Sequence, residues 1–468
     1  MRPTTRRSRR QFLTWCGVAA PIGALALSAC QSVSPLMEKT SPPPPATAVP
    51  SPVPATPSAL AAPSTPPPTQ PTPTSVSPNR APTVAALGPA PTTTTTQKTG
   101  PLQFLQTRGS KIVDAAGNEV RLTGLNWFGM ETDTLAPHGL WQRPYQSMLD
   151  QIVGAGYNCL RLPFSNDLFD PKRQPNGIDF NQNPSLKGLD GLQILDTIVV
   201  AAGQRNLKII LDQHRPNSSG QSPLWYTDHL SAQTWLDQWV ALARRYRGND
   251  AVIGADLHNE PAGPATWGSG DPKTDWAMAA ELAGNAILEV HPHWLIFVEG
   301  IEKITDKSGN PIDWTWMGGE LIPAAKRPIE LKVPNHVVYS PHDYGPSVYG
   351  QRWFQDPTFP DNLPKFWDQH WGYLQQQGIA PILVGEFGGR SVGADPEGLW
   401  QQALVHYLET NQFHYTYWCL NPNSGDTGGL LEDDWVTIHP RKQALLKTYQ
   451  GKRLENAAPE VVNESAVP

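Results

Sequence analysis

The sequence predicts a (β/α)8 TIM barrel with an N-terminal β-hairpin, preceded by a disordered Pro/Thr-rich linker. Three observations carry that expectation. Short apolar runs recur eight times, at 121–126, 158–163, 208–212, 252–259, 295–299, 337–342, 382–386 and 415–418. Stretches suited to helices separate most of them, at 145–155, 188–204, 231–246, 274–291, 363–377 and 397–410. Polar residues stand where the runs end, as they should on the C-terminal face of a barrel, where strand-to-helix loops build the site. A doubly wound sheet would call for a glycine-rich phosphate loop after the first strand, and none follows.

From the N-terminus, residues 1–30 read as an export signal. Ser8-Arg9-Arg10-Gln11-Phe12-Leu13 resembles a twin-arginine motif, an apolar stretch follows, and Leu27-Ser28-Ala29-Cys30 resembles a lipobox with Cys30 as the lipidated residue. Export by the twin-arginine route and lipid anchoring at the cell surface, or else secretion, are the expectations. Residues 31–100 are rich in Pro, Thr, Ser and Ala, cannot bury a core and favour polyproline II. At ~3.1 Å per residue the Pro-rich part reaches at most on the order of 180 Å, and it reads as a stalk. Residues 101–455 form the catalytic domain and 456–468 a flexible tail. Within the domain, Ile112-Val113-Asp114-Ala115-Ala116-Gly117-Asn118-Glu119-Val120 reads as a hairpin with a Gly-Asn turn.

Composition narrows the partner. The 468-residue chain has a formal net charge of −6, and the signal holds Arg2, Arg6, Arg7, Arg9 and Arg10 without an acid. The exported part is therefore more acidic still, which is no footprint for DNA or RNA. A neutral polymer bound by a monomer fits better. No internal apolar run reaches the ~18 residues that span a membrane, so the lipid is the only membrane contact expected. Beyond the signal only Cys159 and Cys419 remain, each in an apolar strand, and both read as buried thiols. A domain without disulfides suits folding in a reducing cytoplasm before export.

The chemistry lies in two motifs, Leu257-His258-Asn259-Glu260-Pro261 and Val384-Gly385-Glu386-Phe387-Gly388, each closing a strand. Breaking a glycosidic bond needs a proton donor for the leaving oxygen and a carboxylate facing the anomeric carbon. Glu260 is expected to be the protonated acid/base and Glu386 the ionised nucleophile. Arg161 would hold Glu386 charged, Tyr344 would donate to it, His342 would support the pair, and Asn259 would hold the sugar 2-hydroxyl. Trp is abundant, with 17 in the chain. Most must be core, but Trp127, Trp141, Trp225, Trp316 and Trp418 fall in or beside strand-to-helix loops, where flat rings would stack on pyranose faces. His214 and His342 with nearby acids have the composition of a metal site. Without a His-x-x-x-His spacing no catalytic metal is expected, and no cofactor. The acidic loop 426–434 reads as a solvated turn.

These residues resemble glycoside hydrolase family 5, the cellulase A family, over about residues 102–450. The motifs are Gly124-Leu125-Asn126-Trp127-Phe128-Gly129, Arg161-Leu162-Pro163, Asp212-Gln213-His214-Arg215, Asn259-Glu260-Pro261, His342-Asp343-Tyr344, Gly385-Glu386-Phe387-Gly388 and Trp418. Ser219-Gly220-Gln221-Ser222 and Ser424-Gly425-Asp426-Thr427-Gly428-Gly429 resemble its bacterial endo-β-1,4-glucanases. The resemblance implies a retaining endoglucanase with Glu260 as proton donor and Glu386 as nucleophile. It also implies glucan contacts from His138, Trp141, His214, Asn259, Tyr344, Gln351 and Trp418. The chain departs from that branch where Ser218, Thr266 and Ser269 replace loop cysteines, and where Trp316-Met317 replaces paired Trp. Two rival readings stand beside it: the same mechanism on mannan, xyloglucan or mixed-linkage glucan, and an inactive glucan-binding lipoprotein, against which both glutamates speak.

Overall fold

A computed structural model describes residues 102–454. The signal, the linker, the tail and with them Cys30 lie outside the described residues. The described chain opens with a hairpin of β1 (Gln106–Arg108) and β2 (Lys111–Val113), turning at Gly109 with φ +56°. The expected hairpin over 112–120 follows it: Val113 and Glu119 bridge antiparallel, and the Val120 and Asp114 amides donate to the Ile112 and Asn118 carbonyls, both at 2.9 Å. The Asp114 carboxylate holds the turn by accepting the Asn118 amide at 2.8 Å.

The strands that follow are β3 (Thr123–Asn126), β4 (Cys159–Ser165), β5 (Lys208–Arg215), β6 (Val252–Asp256), β7 (Leu295–Val298), β8 (Lys303–Thr305), β9 (Pro311–Trp314), β10 (Val337–Tyr339), β11 (Leu383–Val384) and β12 (His414–Tyr417). Eight of them make one parallel sheet in the order β10-β7-β6-β5-β4-β3-β12-β11. Single bridges, Tyr339 to Ile382 and His342 to Glu386, join its two edges, so the sheet is a nearly closed barrel. All eight expected runs are barrel strands.

The helices are α1 (Tyr145–Gly154), α2 (Gly191–Gln204), α3 (Ala232–Arg245), α4 (Trp276–Val290), α5 (Leu363–Trp367), α6 (Tyr373–Gln376), α7 (Pro396–Asn411) and α8 (Pro440–Lys447). Their starts follow from local chemistry. Asp190, Ser231, Asp275 and Asp395 each accept an amide from the first turn, and Pro396 opens α7 where no amide is needed. A π-turn, Asp368–Gly372, joins α5 to α6. Between β7 and β10 the described chain has no α-helix. The antiparallel pair β8 and β9 and a 3₁₀ turn at Ile322–Ala325 take its place.

Side chains alternate along a strand, so residues two apart share a face. Leu122, Cys159, Ile210, Phe297 and Val338 pack in one cluster with Leu105 and Ile112 of the hairpin, which plugs one end of the barrel. The residues after them on the same face are no longer apolar: Arg161 after Cys159, Asp212 after Ile210, Glu299 after Phe297. The barrel changes from an oily plug to a charged floor within one repeat. Cys159 and Cys419 are free and buried, as expected, and Thr266 and Ser269 lie hydroxyl to hydroxyl at 2.7 Å.

Candidate active site

Helix tryptophans fix the strand ends that carry the site. The indole N–H groups of Trp235 and Trp239, one turn apart on α3, both donate to the Leu257 carbonyl at 3.0 Å. Trp276 on α4 donates to the Glu299 carbonyl at 2.9 Å. Past Leu257 the chain turns sharply. Glu260 sits at φ +55°, a left-handed conformation uncommon outside glycine, and its amide donates to the Glu299 carboxylate at 2.8 Å.

Arg161 is the hub of the floor. Its fully buried guanidinium donates to Glu386 at 2.5 Å, Asp256 at 2.9 Å, Asn259 at 3.0 Å, and Glu299 and Asn126 at 3.1 Å, and it lies 3.1 Å from Asp212. One cation cannot neutralise four carboxylates, and burial makes each surplus charge costly. Burial accordingly raises Asp212 and Asp256 to about 7 despite Arg161, and burial with the nearby Asp256 raises Glu299 well above the ordinary range. Burial thus shifts these carboxyls toward their neutral forms. Removing one partner of such a buried pair costs about 3–5 kcal/mol.

Glu386 receives Arg161 on one oxygen and the Tyr344 hydroxyl on the other, at 2.6 Å. Burial and the neighbouring Glu386 raise the Tyr344 phenol well above its usual value, so it remains a donor. Glu260 receives Gln221 at 3.2 Å and lies 3.1 Å from Nδ1 of His342. Burial raises its carboxyl above the ordinary glutamate value. Burial lowers His342 to about 3 and His214 to about 4, so both rings are neutral near pH 7. An oxygen of Glu260 and an oxygen of Glu386 lie within 4.8 Å of each other, with a His342 nitrogen between the same limits. Asn259 gives its oxygen to Arg161, while its amide nitrogen is buried without a partner among the described residues.

Asp212, His214 and Glu386 are close enough together to hold a cation, as are Glu260, His342 and Glu386. Arg161 already stands on Asp212 and Glu386 and supplies the positive charge there. The arrangement is two close carboxylates, Glu260 and Glu386, over a fixed guanidinium.

Above it opens a cleft of about 720 Å³ lined by Glu260, Glu386, His214, Tyr344, Gln351, Trp316 and Trp418, among others. Trp418 stacks with His214 at 5.4 Å and 8°, and with Phe128 at 5.5 Å and 9°, making a flat apolar platform beside the carboxylates. Two expected sugar-stacking rings are elsewhere. Trp127 is fully buried and donates to the His138 carbonyl, and Trp225 packs in the core against Trp235 and Trp276. Both rings are buried, and no face is left for a ligand. His138 stands at the rim, bonded to the cleft residue Asn423 at 3.1 Å. Trp141 is 38% exposed beside His138 and Trp435, outside the residues that line the cleft. The sequence reading assigned no role to Glu131, Trp314, Tyr349 or Asn423 of the lining, nor to Glu299 beneath it. A polar residue ending the apolar run 295–299 was the available signal for Glu299.

Comparisons with known proteins agree with this geometry. Residues 113–424 match the family model described as Cellulase (glycosyl hydrolase family 5). The chain is 56% identical over 344 residues to an endoglucanase of Paenibacillus polymyxa, covering 73% of this chain and 86% of that one. It is 43% identical over 347 residues to the major extracellular endoglucanase of Xanthomonas campestris, covering 73% and 70%. Among solved structures, an endocellulase from Pyrococcus horikoshii, as a glutamate-to-alanine variant with cellotetraose, superposes with a TM-score of 0.70 at 42% identity, covering 75% of this chain and 99% of that one. With the barrel, the paired carboxylates and these matches together, the chain belongs to glycoside hydrolase family 5.

Proposed function

We infer that this protein is a retaining endo-β-1,4-glucanase that hydrolyses internal bonds of cellulose or related glucans by double displacement. The spacing of Glu260 and Glu386 carries the mechanism. Retaining enzymes place their carboxyl groups about 5–5.5 Å apart, whereas inverting ones need about 6.5–9.5 Å to admit a water. An oxygen-to-oxygen approach within 4.8 Å fits the shorter of these separations.

In this reading Glu386 attacks the anomeric carbon while Glu260 gives its proton to the departing oxygen. Glu260, now a carboxylate, then takes a proton from water, which displaces Glu386. Two inversions return the starting configuration. Arg161 and Tyr344 hold the attacking carboxylate from both oxygens, and the Asn259 amide awaits the 2-hydroxyl, whose hydrogen bond strengthens in the transition state. Trp418 supplies the apolar floor for a pyranose face.

The endoglucanase relatives and the cellotetraose complex favour β-1,4-glucan over mannan or xyloglucan. Cello-oligosaccharide cleavage followed by NMR should show the β-anomer first, and carboxymethylcellulose should release reducing ends faster than mannan. First appearance of the α-anomer would overturn retention, and activity confined to mannan would overturn the glucan assignment.

The twin-arginine and lipobox motifs support a further proposal, that the enzyme is exported and held at the surface by a lipid on Cys30. A Cys30→Ser variant should leave the membrane fraction and appear in the soluble one. Retention in membranes would refute the anchor.

A further inference from the structure

Three side chains away from the catalytic pair converge beneath the β8–β9 hairpin. Asp313 is on β9, Glu320 follows the Gly318-Gly319 doublet, and His370 is in the π-turn between α5 and α6. Each has one polar atom engaged and one left over. Glu320 accepts the Ile322 amide at 2.8 Å with Oε1, leaving Oε2. Asp313 receives Arg352 at 2.5 Å and the Trp314 amide at 2.9 Å with Oδ1, leaving Oδ2. His370 donates Nδ1–H to the Phe366 carbonyl at 2.7 Å, which turns the lone pair of Nε2 toward the two acids.

The leftover atoms face one another. Nε2 of His370 lies 3.6 Å from Glu320 Oε2 and 3.7 Å from Asp313 Oδ2, and all three atoms fall within 4.8 Å of one another. Those separations are too long for direct hydrogen bonds. Glu320 is 0% and His370 4% exposed, and neither Oε2 nor Nε2 has a partner among the described residues. Two buried polar atoms aimed at one point, without each other, need something between them. Ligands at 2.0–2.2 Å from a tetrahedral zinc ion lie about 3.4 Å apart, so the imidazole already stands within a few tenths of an ångström of that spacing from each acid. The imidazole is itself held by a backbone carbonyl, the outer support usual for a metal-bound histidine. Asp313 is partly exposed and gives an entry path.

We propose that Asp313, Glu320 and His370 form a binding site for a divalent transition cation of the zinc class, with water in the fourth position. One imidazole with two carboxylates favours such an ion over calcium or magnesium, which take oxygen alone. Arg352 bonds the far oxygen of Asp313 and offsets part of that group's charge, while Glu320 Oε2 and Asp313 Oδ2 keep their lone pairs for the metal. The site would be structural. It ties β9, whose Trp314 lines the cleft, to the helical segment that carries His370.

The test needs no hydrolysis, so its failure leaves the glucanase reading untouched. The full-length protein, stripped with a chelator, is titrated with zinc chloride by calorimetry and melted with and without the metal. One equivalent should bind, and the melting temperature should rise. Calcium chloride should do neither. Glu320→Gln, which keeps shape, and Asp313→Asn, which is near the surface and should fold, should each weaken zinc binding by about tenfold or more, with far-UV circular dichroism unchanged. Absence of binding by the unaltered chain would overturn the proposal, as would undiminished binding in both variants.

Discussion

Glu386→Gln is expected to abolish turnover of cello-oligosaccharides, by roughly 10⁴- to 10⁶-fold in kcat, the scale seen when a nucleophile is removed. The amide is nearly isosteric, so the Tyr344 hydroxyl and the cleft remain. What is lost is the covalent route, since a neutral amide oxygen cannot open the glycosidic carbon and form the ester. Arg161 also loses its anionic partner on that side. Three buried carboxylates still surround it, so the barrel should stay folded. The measurement is paired: kcat on cellotetraose, and calorimetric affinity for the same sugar. Lost turnover with preserved binding supports the assignment. An unchanged rate refutes it and would move the nucleophile elsewhere in the cleft.

Glu260→Gln is expected to lower kcat by about 10²- to 10⁴-fold on natural glucan, the usual contribution of a positioned general acid. On an aryl cellobioside whose leaving group needs no proton, the first step should be nearly normal and the second slow, giving a burst of released phenol. The pH profile gives an independent check. Burial raises the Glu260 carboxyl, so its proton is retained to higher pH than in an exposed glutamate. Activity requires the protonated form, so kcat/KM of the unaltered enzyme should be lost as pH rises through that raised pKa. In Glu260→Gln this basic limb should vanish. If the limb persists unchanged, another group donates the proton.

The barrel was legible because a strand buried on both faces reads as an apolar run, and eight such runs end in polar residues. The two glutamates of the proposed pair stood out for the same reason: Glu260 follows the end of one run and Glu386 ends another. Glu299 ends its run in the same way and was passed over, because what gives it a role, Arg161 and the Glu260 amide, comes from other strands. The β8–β9 pair escaped because the stretch 303–314 is short and mixed, and a helix usually fills that place in the repeat. Trp127 and Trp225 were misplaced for a simpler reason. Position in a loop does not say which way a ring faces, and both turn inward to satisfy their neighbours. Trp418 and Trp316 occupy similar positions in sequence and line the cleft.

The close approach of the two carboxylates has a consequence beyond breaking chains. In the proposed mechanism a covalent glycosyl–Glu386 ester outlives the departing sugar, and Glu260 then deprotonates whichever hydroxyl comes to its side of the ring. Water wins in dilute solution. Where oligosaccharides are concentrated, the 4-hydroxyl of another glucose can take that place, and the same pair of glutamates lengthens a glucan by the route that shortens it.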